Sequence, residues 1–317
     1  MDFGFGLPTR GPLAVPEDIA ALAQAGERLG YAHCTVNDHI VLPRRIDSRY
    51  PYSATGEWPG GRVGDWLEPL GLLCYVAGVT ERVRLLTSIV VIPYRPALLQ
   101  AKMLTTVDVL SRGRLTIGCG VGWMEEEFAA LGIPFAERGR MADEYVAAFK
   151  ELWSADDPQF EGEFVRFSDI AFAPKPVQRP HPPFWIGGES PAALRRTARI
   201  GDAWYPIGSN PRHPLDTIER YRAGVEVLHR AAGVAGRDPA GITLAYAANW
   251  FAGPGEPTDA EGGGRRLLTG PVEALREDVR HLAEAGVRHL VLGLAGASRA
   301  EALDRMEAFM RDVAPHA

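Results

Sequence analysis

Short apolar segments alternate with helical segments along this chain, and that alternation limits its fold more than any other feature. Strands separated by helices predict a parallel sheet, and eight such units predict closure into a barrel. We therefore expect an α/β protein, a (β/α)8 TIM barrel formed by residues 1–317 as one domain. A doubly wound open sheet is the alternative, because the sixth strand is weakly marked. The predicted strands lie at 3–7, 32–36, 83–92, 115–121, 184–187, 202–206, 242–251 and 287–294.

Three segments interrupt the alternation and are expected to be insertions. They lie near 40–66, 155–180 and 252–269. The first is rich in proline, glycine, arginine and tyrosine and lacks periodicity, and loops of this length often cover a site. Aromatic residues near loops or strand ends could hold an apolar substrate or could pack in the core. They are Trp58, Trp66, Trp123, Trp204 and Trp250.

The charge balance and the cysteines narrow the class of partner and the compartment. The formal net charge is −6 and no basic block occurs, so nucleic acid and membrane surfaces are not expected partners. No apolar run is long enough to span a bilayer and no signal peptide opens the chain, which favours a cytoplasmic protein. Cys34, Cys74 and Cys119 are expected to be reduced thiols. No metal is expected, because no pair of histidines has the spacing of metal ligands.

The turn after the fifth predicted strand is a candidate phosphate site. Gly187 and Gly188 follow a buried strand, and Ser190 can cap the helix that comes next. Glycines let the backbone approach a ligand closely, and a helix N-terminus attracts anions. These residues, together with Glu189, therefore form a candidate phosphate seat. An ordinary tight turn between a strand and a helix is the alternative.

Other candidate residues lie where predicted strands end, because the loops after the strands of a barrel share one rim. Asp38-His39 is the only Asp-His pair in the chain, and histidine can relay a proton near neutral pH. A histidine that merely caps its loop is the alternative. Glycines 118, 120 and 122 of the fourth strand could lie against a flat ring or could simply allow tight packing. By composition alone, 83–92 is a plain buried strand.

Five segments together resemble the bacterial luciferase-like flavin-dependent oxidoreductases, most closely the branch that uses the deazaflavin coenzyme F420. The resemblance spans nearly the whole chain, and the fourth-strand motif is its most specific part. The segments are Asn37-Asp38-His39, 85–93 (LLTSIVVIP), 114–128 (RLTIGCGVGWMEEEF), 138–141 (RGRM) and 185–188 (WIGG).

The resemblance implies a TIM barrel of the luciferase-like type with a tricyclic ring at its mouth. It implies a non-prolyl cis peptide between Ser88 and Ile89 that forms a bulge behind the ring. It also implies that the glycine pair holds the coenzyme phosphate, that Asp38 contacts the ring and that His39 stands near the reacting carbon. The predicted cofactor-binding residues are Asp38, Ser88, Ile89, Gly120, Val121, Gly122, Gly187, Gly188, Glu189 and Ser190, and the predicted catalytic residues are His39 and Asp38.

The predicted function is that of an F420-dependent oxidoreductase, which moves a hydride between C5 of the deazaflavin and a small organic substrate. An FMN-dependent monooxygenase is one alternative, and a non-catalytic barrel that binds a phosphorylated ligand is another. Some sugar-phosphate dehydrogenases of the family carry glutamate where this chain has Trp123, so we expect a flatter, more apolar pocket and no sugar phosphate. A homodimer is expected, since the family is often dimeric.

Overall fold

The strands of the structure follow the apolar runs of the sequence. The computed structural model describes residues 1–60 and 64–316. Its strands are β1 (Asp2–Gly6), β2 (His33–Val36), β3 (Arg84–Thr87), β4 (Val90–Val91), β5 (Leu115–Gly120), β6 (Phe160–Glu161), β7 (Arg166–Phe167), β8 (Phe184–Gly187), β9 (Ala203–Tyr205), β10 (Thr243–Ala248) and β11 (Val287–Leu292).

Eight parallel strands close into a barrel. Their order is β3-β2-β1-β11-β10-β9-β8-β5, and β3 pairs in turn with β5, so the sheet closes on itself. The predicted TIM barrel is therefore confirmed, and the doubly wound alternative is wrong because an open sheet lacks this closing pair. Strands β6 and β7 form a separate antiparallel hairpin within the second predicted insertion.

The helices surround the barrel and begin where capping residues allow. Ser190, Thr217 and Ser298 each accept a hydrogen bond from a backbone N–H of the first helical turn. Each bond satisfies a donor that has no partner within its own helix. The helices are α1 (Pro16–Leu29), α2 (Pro69–Val79), α3 (Ala97–Leu110), α4 (Glu125–Ala130), α5 (Arg138–Ser154), α6 (Pro191–Ile200), α7 (Ile218–Val234), α8 (Val272–Glu284) and α9 (Arg299–Asp312).

Alternation of side chains along the strands produces two apolar layers. In β8, Phe184 and Ile186 pack in the layer between barrel and helices, whereas Trp185 lies in the barrel interior beside Tyr205. Burial on both faces holds the strand ends in fixed relative positions. The loops that follow the strands are positioned by this framework.

The third predicted strand is not continuous. The apolar run 83–92 predicted one strand, but the structure divides it into β3 and β4 with a cis peptide bond between Ser88 and Ile89. The cis bond implied by the family resemblance is therefore present. After this bulge, β4 continues alongside β5. Composition could not reveal the break, because the residues on both sides of it are equally apolar.

The glycines of β5 make room for this bulge. A Cβ atom at Gly118 would lie 2.0 Å from the carbonyl oxygen of Thr87, and one at Gly120 would lie 2.1 Å from Cδ1 of Ile89. Gly122 has a φ of +80° and faces an aromatic ring that a side chain would strike. Of the two interpretations offered for this pattern, tight packing accounts for all three glycines.

Two of the predicted insertions shape the rim. The loop between β2 and α2 carries no helix or strand among its described residues, and 61–63 of the predicted 40–66 insertion lie outside the described part. The loop between β10 and α8 is tied down, because Asp278 accepts a 2.6 Å bond from the N–H of Leu268 and Asp216 accepts one from Glu261. None of the described helices is long and apolar enough to cross a membrane.

Candidate active site

The loops after the barrel strands bring several predicted site residues together. Ile89 lies beside Gly120 and Gly187, where added Cβ atoms would come within 2.1 and 3.2 Å of its side chain. Ser88 Oγ is 2.9 Å from the hydroxyl of Tyr205, and burial raises the pKa of that tyrosine. The tyrosine hydroxyl therefore stays protonated. These contacts fix the bulge between β5, β8 and β9 at the carboxyl ends of the strands.

His39 is held so that one ring nitrogen is free of protein hydrogen bonds. Its Nδ1 lies 2.8 Å from Glu127 Oε2, and its side chain is 11% exposed. The rings of Trp58 and Trp66 pack on it with centroid distances of 5.0 and 4.7 Å. Within 1–60 and 64–316 no hydrogen bond to Nε2 is found. Nε2 is therefore the nitrogen that can meet a substrate.

Glu127 fixes the tautomer of His39. Its carboxylate is fully buried and also accepts hydrogen bonds from the N–H groups of Ile40 and Val41, at 2.7 and 3.2 Å, and from the Tyr94 hydroxyl at 2.9 Å. These three donors suit an ionised carboxylate, which can only accept. Nδ1 of the histidine therefore donates to the carboxylate, which leaves Nε2, with its lone pair when the ring carries one proton, as the nitrogen that can exchange a proton. Such a ring can accept a proton there, and the carboxylate stabilises the resulting imidazolium.

Asp38 lies next to His39 in sequence but is turned into the protein. Its side chain has no exposure, and its two oxygens bind the Arg95 guanidinium at 2.9 Å each. The N–H of Val91 donates a third bond at 2.9 Å. Burial raises the pKa of Asp38 while Arg95 opposes that rise. Despite its own burial, Arg95 has a raised pKa because of Asp38 and Glu68, so its guanidinium stays charged. The ion pair joins β2 to β4 and to the N-cap of α2.

The turn after β8 presents backbone N–H groups at the start of α6. Gly188 has a φ of +105°, which glycine adopts without strain. Ser190 caps the helix, and its Oγ accepts a 3.3 Å bond from Ala193. For the N–H groups of Ser190 and Ala192, no acceptor is found in the part of the chain that the structure describes. Donors of this kind at a helix N-terminus can bind an anion.

Glu189 lies in the same turn and is nearly enclosed, with 5% exposure. Its carboxyl group accepts a 2.6 Å bond from the N–H of Ile207 and a 3.0 Å bond from Asn210 Nδ2. Burial raises the pKa of Glu189 to about 7, although these bonds oppose the rise. A carboxyl group that titrates near neutral pH therefore lies next to the candidate phosphate seat.

The predicted aromatic residues fall into two groups. Trp204 is fully buried in the layer beneath the helices, and Trp250 packs at the edge of that layer. Trp58, Trp66 and Trp123 lie together, with ring centroids 5.9 Å apart for the first pair and 6.0 Å apart between Trp58 and Trp123. Val121 and Gly122 are both half-buried and connect β5 to this second group.

Sequence reasoning missed the residues that hold the Asp-His pair. Glu127 carried a usable signal, because Met124, Glu127 and Phe128 share a helical face at i, i+3 and i+4 and that face is buried. No comparable signal marked Arg95. Its partners, Asp38 and Glu68, come from other loops, so only the tertiary fold brings the three together.

Comparison with known proteins gives a consistent result. A family model described as luciferase-like monooxygenase matches residues 1–246. An uncharacterized protein of Mycobacterium tuberculosis is 34% identical over 214 residues, which is 67% of this chain and 71% of the relative. An FMNH2-dependent dimethylsulfone monooxygenase of Pseudomonas putida is 36% identical over 160 residues, covering 50% of this chain and 42% of the relative.

A solved structure shares the fold at lower identity. The coenzyme F420-dependent tetrahydromethanopterin reductase of Methanopyrus kandleri superposes with a TM-score of 0.75 at 18% identity and covers 99% of both chains. Members of the matched family are oxidoreductases or monooxygenases. On the match over residues 1–246, this chain belongs to the luciferase-like monooxygenase family.

Proposed function

We propose that this protein is an oxidoreductase that uses coenzyme F420 to move a hydride to or from a small organic substrate. The observation that carries the proposal is the buried His39–Glu127 pair, which leaves Nε2 of His39 free at the rim. The bound deazaflavin would supply or take up the hydride. The protein's part is to orient the substrate, exclude water and exchange a proton at Nε2.

The residues at the rim fit a coenzyme that carries a phosphate and a flat ring. The free N–H groups of Ser190 and Ala192, with the glycine pair beside them, suit the phosphate. The bulge at Ser88 and Ile89 would form the surface behind the ring. This bulge would be supported by Gly120, Val121 and Gly122, and Gly187 would pack against it. The side chain of Asp38 has no exposure, so we assign it the positioning of His39 and β4 rather than contact with the ring.

The charge beside the phosphate seat favours F420 over FMN. F420 carries a phosphodiester with one negative charge, whereas the phosphate monoester of FMN carries nearly two at neutral pH. Glu189 is ionised above about pH 7 and would repel the doubly charged group more strongly. The Methanopyrus kandleri reductase, which uses F420 on the same fold, also supports this choice.

An FMN-dependent monooxygenase is the second candidate. The Pseudomonas putida relative, at 36% identity, is FMNH2-dependent, and this supports FMN as the coenzyme of the present chain. Both coenzymes have a phosphate and a tricyclic ring, so the same seat and the same bulge would serve either of them. His39 would then exchange a proton during the oxygenation of the substrate instead of during hydride transfer.

A binding titration of the purified protein against both coenzymes tests the proposal. We expect F420 to bind more tightly than FMN to protein made in a host that lacks deazaflavin. His39→Ala should retain coenzyme binding and lose roughly 10²- to 10⁴-fold in turnover. A protein that is yellow as purified and prefers FMN would replace the proposal with the monooxygenase. Failure to bind either coenzyme would leave a non-catalytic barrel.

We also propose that the enzyme is a cytoplasmic homodimer. The outer sides of α2 and α3 carry large apolar side chains that are 39%, 52% and 54% exposed at Tyr75, Leu99 and Leu110. Exposed apolar surface on adjacent helices favours a protein contact. The three free cysteines suit a reducing compartment. A sedimentation mass of one chain at micromolar concentration would contradict the dimer.

A further inference from the structure

Four aromatic side chains form a continuous surface that ends on His39. We call this surface the aromatic wall and define it by Tyr50, Trp58, Trp66 and Trp123. Ring centroids are 5.1 Å apart between Tyr50 and Trp123, 6.0 Å between Trp123 and Trp58, and 5.9 Å between Trp58 and Trp66. The first three residues come from the loop after β2, and Trp123 comes from the end of β5. Two separate loops therefore build one surface beside the proposed proton-transfer group.

The wall is not an ordinary core. Each of its four residues is only half-buried, although aromatic rings of this size gain most when they are enclosed. Trp58 and Trp66 lie nearly parallel, with 21° between their planes, whereas the plane of Trp123 is tilted by 58° from that of Trp58. Half-exposed rings that converge on a candidate catalytic residue are typical of a ligand surface.

The polar atoms at the wall indicate what kind of ligand fits. Nε1 of Trp66 is buried and has no hydrogen-bond partner among the described residues, and Nε2 of His39 is free close by. A ligand hydroxyl at this end would satisfy both groups, because its oxygen accepts from Nε1–H of Trp66 and its O–H donates to Nε2 of His39. The guanidinium of Arg10 lies 5.2 Å from the ring of Trp66, so a cationic ligand would meet a positive charge there. A neutral or anionic aromatic compound would not be repelled by this charge.

We propose that the aromatic wall binds a planar aromatic substrate that carries a hydroxyl group. The flat ring system stacks on Trp58 and meets Trp123 edge to face, because those two rings are tilted by 58°. The hydroxyl lies between Nε1 of Trp66 and Nε2 of His39. This inference rests on the proposed function, because it names the substrate class of the same site. It separates this chain from enzymes of the same fold whose substrates are aliphatic.

The test compares two probes of similar size on the unmodified protein, without coenzyme. The probes are 2-naphthol and its saturated analogue decahydro-2-naphthol, which keeps the hydroxyl but is not flat. We expect 2-naphthol to bind at least about 10-fold more tightly by calorimetry, because stacking contributes beyond buried area. Equal affinities, or a preference for the saturated probe, would overturn the inference.

Variants of the wall then locate the binding site. Trp58→Leu should weaken 2-naphthol about 3- to 10-fold and leave the saturated probe unchanged. Trp66→Phe keeps a ring but removes Nε1, so it should weaken 2-naphthol about 5-fold and leave 2-methylnaphthalene unchanged. Phe164→Leu is the matched control, since Phe164 is half-buried next to β7 and away from the wall. Loss of affinity in the control but not in the wall variants would contradict the assignment.

Coenzyme titrations separate this inference from the proposed function. If F420 fails to bind while the naphthol pattern is as expected, the proposed function is wrong and the ligand class of the wall stands. If F420 binds normally while the two naphthol probes do not differ, the substrate class is wrong and the coenzyme assignment stands.

Discussion

Replacing Glu189 by glutamine should change how the stability of the protein depends on pH. The carboxyl group is 5% exposed, and burial raises its pKa from 4.5 to about 7. In the unfolded chain the same group titrates near its usual value, so folding favours the protonated form. The contribution of Glu189 to stability is therefore fully present below about pH 4.5. It declines as the pH rises towards 7 and is lost above that.

The expected size follows from the shift. A rise in pKa from 4.5 to about 7 corresponds to about 3 kcal/mol of stability lost between pH 4.5 and 8.5. Glutamine does not titrate, so Glu189→Gln removes this loss. Its carbonyl can still accept the bond from Ile207, but its amide group faces the Nδ2 donor of Asn210, which costs about 1 kcal/mol. The variant should therefore be slightly less stable at pH 5 and about 2 kcal/mol more stable at pH 8.5.

Urea unfolding followed by tryptophan fluorescence at several pH values measures the effect. The quantity to plot is the free energy of unfolding of the wild type minus that of Glu189→Gln, because other titrating groups cancel in this difference. Glu226→Gln is the control, since its side chain is 74% exposed and meets water in both states. A difference that stays constant from pH 5 to 8.5 would refute the account of Glu189.

Three further predictions concern the supports of the site. Glu127→Gln should lower kcat about 10-fold or more with little change in KM, because the imidazolium that forms when His39 accepts a proton loses its anion; an unchanged kcat would deny the positioning role. Asp38→Asn should cost about 3 kcal/mol in urea unfolding, because Arg95 loses its buried partner. Gly118→Ala should lower the free energy of unfolding by about 1–3 kcal/mol or more, because its Cβ would lie 2.0 Å from a backbone oxygen. The exposed Gly233→Ala in α7 should be neutral or stabilising. Equal effects of these two glycine variants would contradict the packing account.

The architecture could be predicted from the sequence because it depends on local pattern. Apolar runs placed most strands within a few residues of their observed bounds. The glycines 118, 120 and 122 were also visible. That these glycines make room for a bulge could not be predicted. The bulge depends on how the chain bends after β3 against β5, and no residue within 83–92 marks that bend.

The site could be predicted only in part. The Asp38-His39 pair stood out, but the two side chains turn to different partners, Arg95 and Glu127, which are 57 and 88 residues away in the chain. Glu127 also sits in a run of three glutamates whose other two members are more exposed. The acidic run is visible in the sequence. Which of its three glutamates is buried depends on how α4 is rotated about its axis against the barrel.

The most direct test of the central claim is a crystal structure of the protein with bound F420. The account predicts a phosphate oxygen within about 3 Å of the N–H groups of Ser190 and Ala192. It also predicts that the deazaflavin ring lies against the bulge at Ser88–Ile89 with its C5 on the side of His39 Nε2. A coenzyme whose phosphate lies away from α6, or whose ring has no access to His39, would contradict the account.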